Sequence, residues 1–180
     1  MGFPSIAALN ELEPDAFAEE LASLFEGAQG FLSRLAAARP LDSDAALFAE
    51  AREVARSMPE ADQLELLAAH PRIGAGPRDL SPDSYSEQGY GATPEDDDAR
   101  VAEELAMLNE IYESRFGFRF VIFVAGRPLA SLVPLLEASL RNDRTAELRR
   151  GLDDVIDIAA DRLARARGGD GHVGGAADGV

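Results

Sequence analysis

Apolar residues recur at three- and four-residue intervals along most of the chain, which predicts a succession of amphipathic helices. Pro14 and Asp15 open one of them, with Phe17, Leu21, Leu24 and Phe25 on its inner face and Gly27 as its stop. A short helical stretch from Phe31 to Ala38 closes at Arg39-Pro40. Ser43 or Asp44 caps the next helix, whose stripe is Leu47, Phe48, Ala51, Val54, Ala55 and Met58. After Pro59 a further helix carries Leu64, Leu67 and Ala68. It must end at His70-Pro71, because a residue before proline is pushed out of the α region.

Residues 71–83 are rich in Gly and Pro and read as loop, with Ser81-Pro82 opening a short helix through Gln88. Thr93-Pro94-Glu95-Asp96 resembles a capping box and starts a long helix with the stripe Val101, Leu105, Leu108, Ile111 and Tyr112, stopped by Gly117. Phe118 to Ala125 is the one β-like run. A lone strand builds no sheet, so its buried backbone groups need another use. Two helices follow Arg127-Pro128, separated by Asn142-Asp143, the last showing Leu148, Leu152, Val155, Ile156, Ala159 and Leu163. Gly168 to Val180 holds six of the 16 glycines and no periodicity, the signature of a disordered tail. The expected fold is all-α: one domain over residues 1–167, a bundle of about eight or nine helices with a short extended segment near 119–125.

Composition narrows the chemistry. At 180 residues, with 46% hydrophobic and 28% charged residues, the chain can bury a core without staples. A formal net charge of −16 argues against nucleic acid as a partner. All 17 basic residues are Arg. Without Lys there is no Schiff base, no lysine-bound pyridoxal phosphate and no P-loop lysine. Without Cys there is no thiol nucleophile, iron–sulfur cluster or thiolate zinc site, and no HExxH spacing offers another metal site. No run approaches 18 apolar residues, and Met1 to Glu13 does not read as a signal peptide, so no membrane association and a cytoplasmic location are expected.

His172 falls in the tail, which leaves His70 as the candidate imidazole for chemistry. A histidine at a helix exit serves either as a C-cap or as a general acid–base group, and the helix C-terminus favours its protonated form. Ser84 and Gln88 are four apart and share a helix face, with Glu87 beside them. That face offers a hydroxyl, an amide and a carboxylate, enough to read a urea- or imide-like ligand. The run from Phe120 to Val124 is either a core connector or a cavity wall presenting backbone N–H and C=O groups. Asp96-Asp97-Asp98 reads as complement to a helix dipole, and no GxSxG turn exposes a serine nucleophile.

Three separated strings carry a resemblance: Ala69-His70-Pro71-Arg72-Ile73-Gly74, then Ser84-x-x-Glu87-Gln88, then Asn109-x-x-Tyr112-x-x-Arg115-Phe116-Gly117-Phe118 running into Phe120-Val121-Ile122. With Arg39-Pro40, Asn142-Asp143, Glu147 and Ile158-Ala159-x-x-Arg162-Leu163, the chain over residues 5–167 resembles the 2-oxo-4-hydroxy-4-carboxy-5-ureidoimidazoline (OHCU) decarboxylase family of uric acid degradation. The resemblance implies an all-helical, cofactor-free carboxy-lyase, usually a homodimer, that makes (S)-allantoin from a small anionic ureidoimidazoline. It implies His70 and Glu87 as catalytic residues. Pro71, Ser84, Gln88, Phe120, Val121, Ile122, Phe123, Val124 and Arg162 become the substrate contacts. Where many members carry Ser-Pro-Trp after a glutamate, this chain has Glu26-Gly27-Ala28-Gln29-Gly30. Two other readings remain open from the residues themselves: a non-enzymatic acidic helical adaptor or dimerisation module, and a hydrolase or lyase of another ureido acid.

Overall fold

A computed structural model of the chain describes residues 3–74 and 95–168. The expected 81–88 helix with Ser84, Glu87 and Gln88, the glycine-rich tail beyond Gly168, and His172 lie outside the described residues. The helices are α1 (Ile6–Asn10), α2 (Pro14–Leu21), α3 (Gln29–Ala37), α4 (Asp44–Ser57), α5 (Glu60–Ala69), α6 (Glu95–Phe116), α7 (Leu132–Ser139, entered through a 3-10 turn at Leu129–Ser131) and α8 (Arg144–Gly168). Among the described residues no strand pairs with another. The fold is all-α.

Local chemistry explains most boundaries. Ser43 caps α4 by accepting from the Ala46 N–H at 3.1 Å, and Pro14 occupies the first turn of α2. Pro59 precedes α5, and His70, held extended by Pro71, ends it. Two boundaries depart from the sequence expectation. Ser5 caps an extra five-residue helix, α1, too short for periodicity to show. Helix α2 stops at Leu21, although Leu24 and Phe25 in the following turns are still buried.

Helix α8 is the spine: Leu148, Leu152, Val155, Ile156, Ala159 and Leu163 face inward, and α4 and α5 pack on it. Gly151 permits the approach of α5, since a Cβ there would lie 3.2 Å from a methyl of Leu67. On α6 the inner face differs from the expected stripe. Val101, Leu105 and Tyr112 are buried, but Ile111 is 54% exposed and Asn109 takes the inward position. Its amide donates to the carbonyls of Ile73 and Leu105, both at 2.8 Å, so a polar residue satisfies the loop after α5.

The 119–124 segment is extended and unpaired, as expected, and arginines answer for its carbonyls. Arg150 Nη1 donates to Val121 at 2.8 Å, while Arg127 donates through Nε to Val124 at 2.8 Å and through Nη2 to Phe123. Ala125 and Gly126, at φ 53° and 71°, then turn the chain out of the core.

Candidate active site

The exit of α5, the extended segment and the C-terminal half of α8 enclose a cavity of about 320 Å³. Its walls include His70, Pro71, Phe120, Val121, Ile122, Phe123, Val124 and Arg162, together with Ile73, Ala125, Gly126, Ile158, Asp161 and Arg165. Every described residue singled out from the sequence therefore meets at one place. The volume suits a small molecule.

His70 is buried at 3% exposure, and its Nδ1 lies 3.3 Å from the Leu66 carbonyl. A carbonyl only accepts, so Nδ1 carries the hydrogen in this contact, which orients the ring. This contact fits the C-cap reading of the residue, because it ties the ring to a carbonyl of the last turn of α5.

Arg162 is nearly buried, with 9% of its side chain exposed. Its Nη2 pairs with Glu26 at 2.6 Å, and its Nη1 donates to the Ser23 and Leu24 carbonyls at 3.1 and 3.3 Å. Glu26 sits at φ 51°, a backbone conformation in which the turn after α2 presents its carboxylate to the cavity's arginine. The unusual Glu26-Gly27 turn is thus part of the site's frame. Arg165 and Asp161 pair at 2.8 Å on the last turns of α8.

Behind the wall lies a polar cluster. Glu147, fully buried, accepts from Tyr112 at 2.7 Å, Asn142 at 2.7 Å and Arg150 at 2.9 Å. Burial pushes the Glu147 carboxyl up, but the hydrogen bonds from Arg150, Asn142 and Tyr112 outweigh it and hold the group below the usual carboxylate range. Arg150 also donates to Asp154 at 2.6 Å and stacks over the Phe120 ring at 4.8 Å. Burial pushes Asp154 up to about 6; Arg150 and the Phe123 backbone amide draw it down, and Asp157 opposes them. The wall is therefore fixed from behind by charge as well as by packing.

Sequence reasoning missed Arg119 and Arg150, and it marked Glu26 only as part of a departure from the family pattern. Arg119 carried a signal, being the single charge in the run from Phe116 to Ala125. Its Nη1 donates to the Ala68 carbonyl at 2.7 Å and to the His70 carbonyl. Arg150 gave none, since a helix-surface arginine is an ordinary residue in a chain this charged.

The OHCU decarboxylase family model matches residues 10–164. The uric acid degradation bifunctional protein PucL of Bacillus subtilis is 33% identical over 159 residues, which cover 87% of this chain and 31% of that one. The 2-oxo-4-hydroxy-4-carboxy-5-ureidoimidazoline decarboxylase of Haloferax volcanii is 29% identical over 160 residues, covering 89% and 94%. The chain spans about a third of the length of the two bifunctional Bacillus relatives it matches, and nearly all of the Haloferax protein. A crystal structure of OHCU decarboxylase in the presence of (S)-allantoin superposes with a TM-score of 0.65 at 28% identity, over 82% of this chain and 96% of that one. The motif around His70 and the run that walls its cavity both fall inside the matched span, and this chain belongs to the OHCU decarboxylase family.

Proposed function

We propose that the chain decarboxylates OHCU to (S)-allantoin without a cofactor, as a step of uric acid degradation. The observation that carries this reading is the cavity that joins His70 and Pro71 to the 120–124 backbone and Arg162. Its support outside the chain is the match to proteins named for uric acid degradation and for OHCU decarboxylation, and to a structure determined with (S)-allantoin.

The chemistry follows from the substrate. Its carboxylate sits on a carbon that also bears a hydroxyl and adjoins the ureido-bearing carbon of a conjugated ring. Loss of CO2 passes the bonding pair through the conjugated system onto a ring nitrogen, which takes up a proton from solvent, and leaves an enol. The hydroxyl then gives up its proton to become a carbonyl, and a proton is added to the ureido-bearing carbon. In this reading His70 moves one of these protons through Nε2, with Glu87 as its partner. Arg162 gives the anionic substrate a positive site in a chain of net charge −16. Backbone N–H groups of Phe120, Val121, Ile122 and Val124 stabilise the developing oxyanion, and Ser84 and Gln88 bind the ureido edge. The active species is a homodimer in the cytoplasm.

Optical activity tests the reading, because spontaneous decay of OHCU gives racemic allantoin. Freshly generated substrate should be consumed faster than in buffer, with (S)-allantoin in excess. Tenfold excess of one hand needs about 1.4 kcal/mol between the two protonation transition states. His70→Ala should cut turnover by about 10²–10⁴-fold with helicity by circular dichroism unchanged. Wild-type-like turnover in that variant would remove His70 from the mechanism. No acceleration and no optical signal from the wild type would favour an adaptor.

A further inference from the structure

An α-helix leaves its last four carbonyls without intrahelical partners, and three of those at the end of α5 are answered in two different ways. Leu66 faces the His70 ring, and Leu67 accepts from the His70 backbone N–H at 3.3 Å. Ala68 and the carbonyl of His70 itself both accept from one nitrogen, Nη1 of Arg119. This cation sits where the helix dipole presents its negative end. Arg119 is also the first residue of the extended segment, and the five residues after it line the cavity. It therefore belongs covalently to one wall and is hydrogen-bonded to the other.

We propose that Arg119 is a positioning residue: by bridging the Ala68 and His70 carbonyls it fixes the His70 imidazole at a set distance from the 120–124 backbone. The inference rests on the decarboxylase reading for its kinetic consequence but not for its geometric one. The adhesion of α5 to the fold does not depend on this bridge, since Leu66 and Leu67 are fully buried and Leu67 packs against Gly151 of α8. Arg119, only half-buried, adds alignment more than stability. A general acid–base group must meet the reacting atoms within hydrogen-bond reach, and a wall displaced by a fraction of an ångström spoils that geometry.

The test compares Arg119→Met, which removes the donors but keeps the length, with Arg119→Lys, whose ammonium can supply both carbonyls from one nitrogen. Both are made in a chain also carrying His172→Gln, so that imidazole signals in NMR belong to His70. Arg119→Met should lower kcat by about tenfold or more while KM moves less than about twofold, and should reduce the optical purity of the allantoin. Its imidazole should pass from a single Nδ1-protonated tautomer to an averaged signal, and Arg119→Lys should recover most of kcat and the single tautomer. Should Arg119→Met fail to fold, Arg119→Gln carries the same readouts. An Arg119→Met protein with wild-type kcat, optical purity and imidazole signals would overturn the proposal, as would losses that track the melting temperature and are not recovered by Lys. If the wild type does not turn over OHCU, the decarboxylase reading fails instead, and the His70 tautomer alone decides the role of Arg119.

Discussion

Glu147 shows how one residue can be both buried and charged. Three donors, from Tyr112, Asn142 and Arg150, converge on its two oxygens, and their hydrogen bonds stand in for the water it has lost. Because the pair is buried on the carboxylate side, removing a partner costs more than forming the pair gains. Tyr112→Phe should lower stability by about 1.5–3 kcal/mol, the worth of a hydrogen bond to a charged group. Arg150→Met should cost about 3 kcal/mol, since it strands the buried charge and releases the Val121 carbonyl as well. Denaturant melts of both variants measure this, and an Arg150→Met protein as stable as the wild type would show that Glu147 simply protonates. The residues around Glu147 also explain why it was not read as part of the site's support. Its partners come from α6, the turn before α8, and α8 itself, a convergence that sequence spacing does not reveal.

Among the elements, the helices were legible wherever side chains alone decide. The stripes of α4 and α8 match their buried faces because a 3.6-residue period has one apolar solution. The reading slipped on α6, where Asn109 faces inward and Ile111 outward, since burial there follows the carbonyl of Ile73 and not hydrophobicity. The cavity-forming residues His70 and Phe120 to Val124 were legible through the helix exit at His-Pro and the isolated extended run, and through their likeness to a known family. Arg119 and Arg150, which hold them from elsewhere in the chain, were not, because their bonds to the α5 exit and to Val121 span 29 or more residues of sequence. Gly74 tests the junction between α5 and α6. It lies at φ 76°, and a Cβ there would come within 2.9 Å of the Leu105 Cβ. Gly74→Ala should destabilise by about 2 kcal/mol or more, combining left-handed strain with overpacking. Leu105→Ala in the same chain should not rescue the loss, because Ala keeps the clashing Cβ, the backbone strain persists and a buried side chain is truncated; a neutral Gly74→Ala would mean that the loop relaxes freely.

For the whole molecule, the carboxylates set the response to acid. Glu147 is held below its ordinary value of 4.5, so its contribution is present above that pH and is lost as pH falls through the folded value. Asp154 works in the opposite sense. Raised from 3.8 to about 6, it favours the fold below 3.8 and loses that contribution as pH rises through 6. Self-repulsion from a net charge of −16 also relaxes as carboxylates protonate. The melting temperature should therefore peak near about pH 5, falling steeply below 4 and gently toward 7. Asp154→Asn should flatten the gentle limb and leave the steep one. A melting temperature that climbs steadily from pH 5 to 7 would contradict this assignment.

The arginines that tie carbonyls across the fold have a further consequence for handling the protein. Arg39, Arg119, Arg127, Arg144, Arg150 and Arg162 each donate to main-chain oxygens, and no Lys stands anywhere in the chain. Guanidinium stays charged at any pH a folded protein tolerates, and it ignores the acylating and aldehyde reagents that attack ε-amines. Amine-directed tags, crosslinkers and surface couplings thus find no side-chain target, and enzymatic lysine acetylation has no substrate here. Dicarbonyl reagents, which seek arginine, would instead strike the ties themselves.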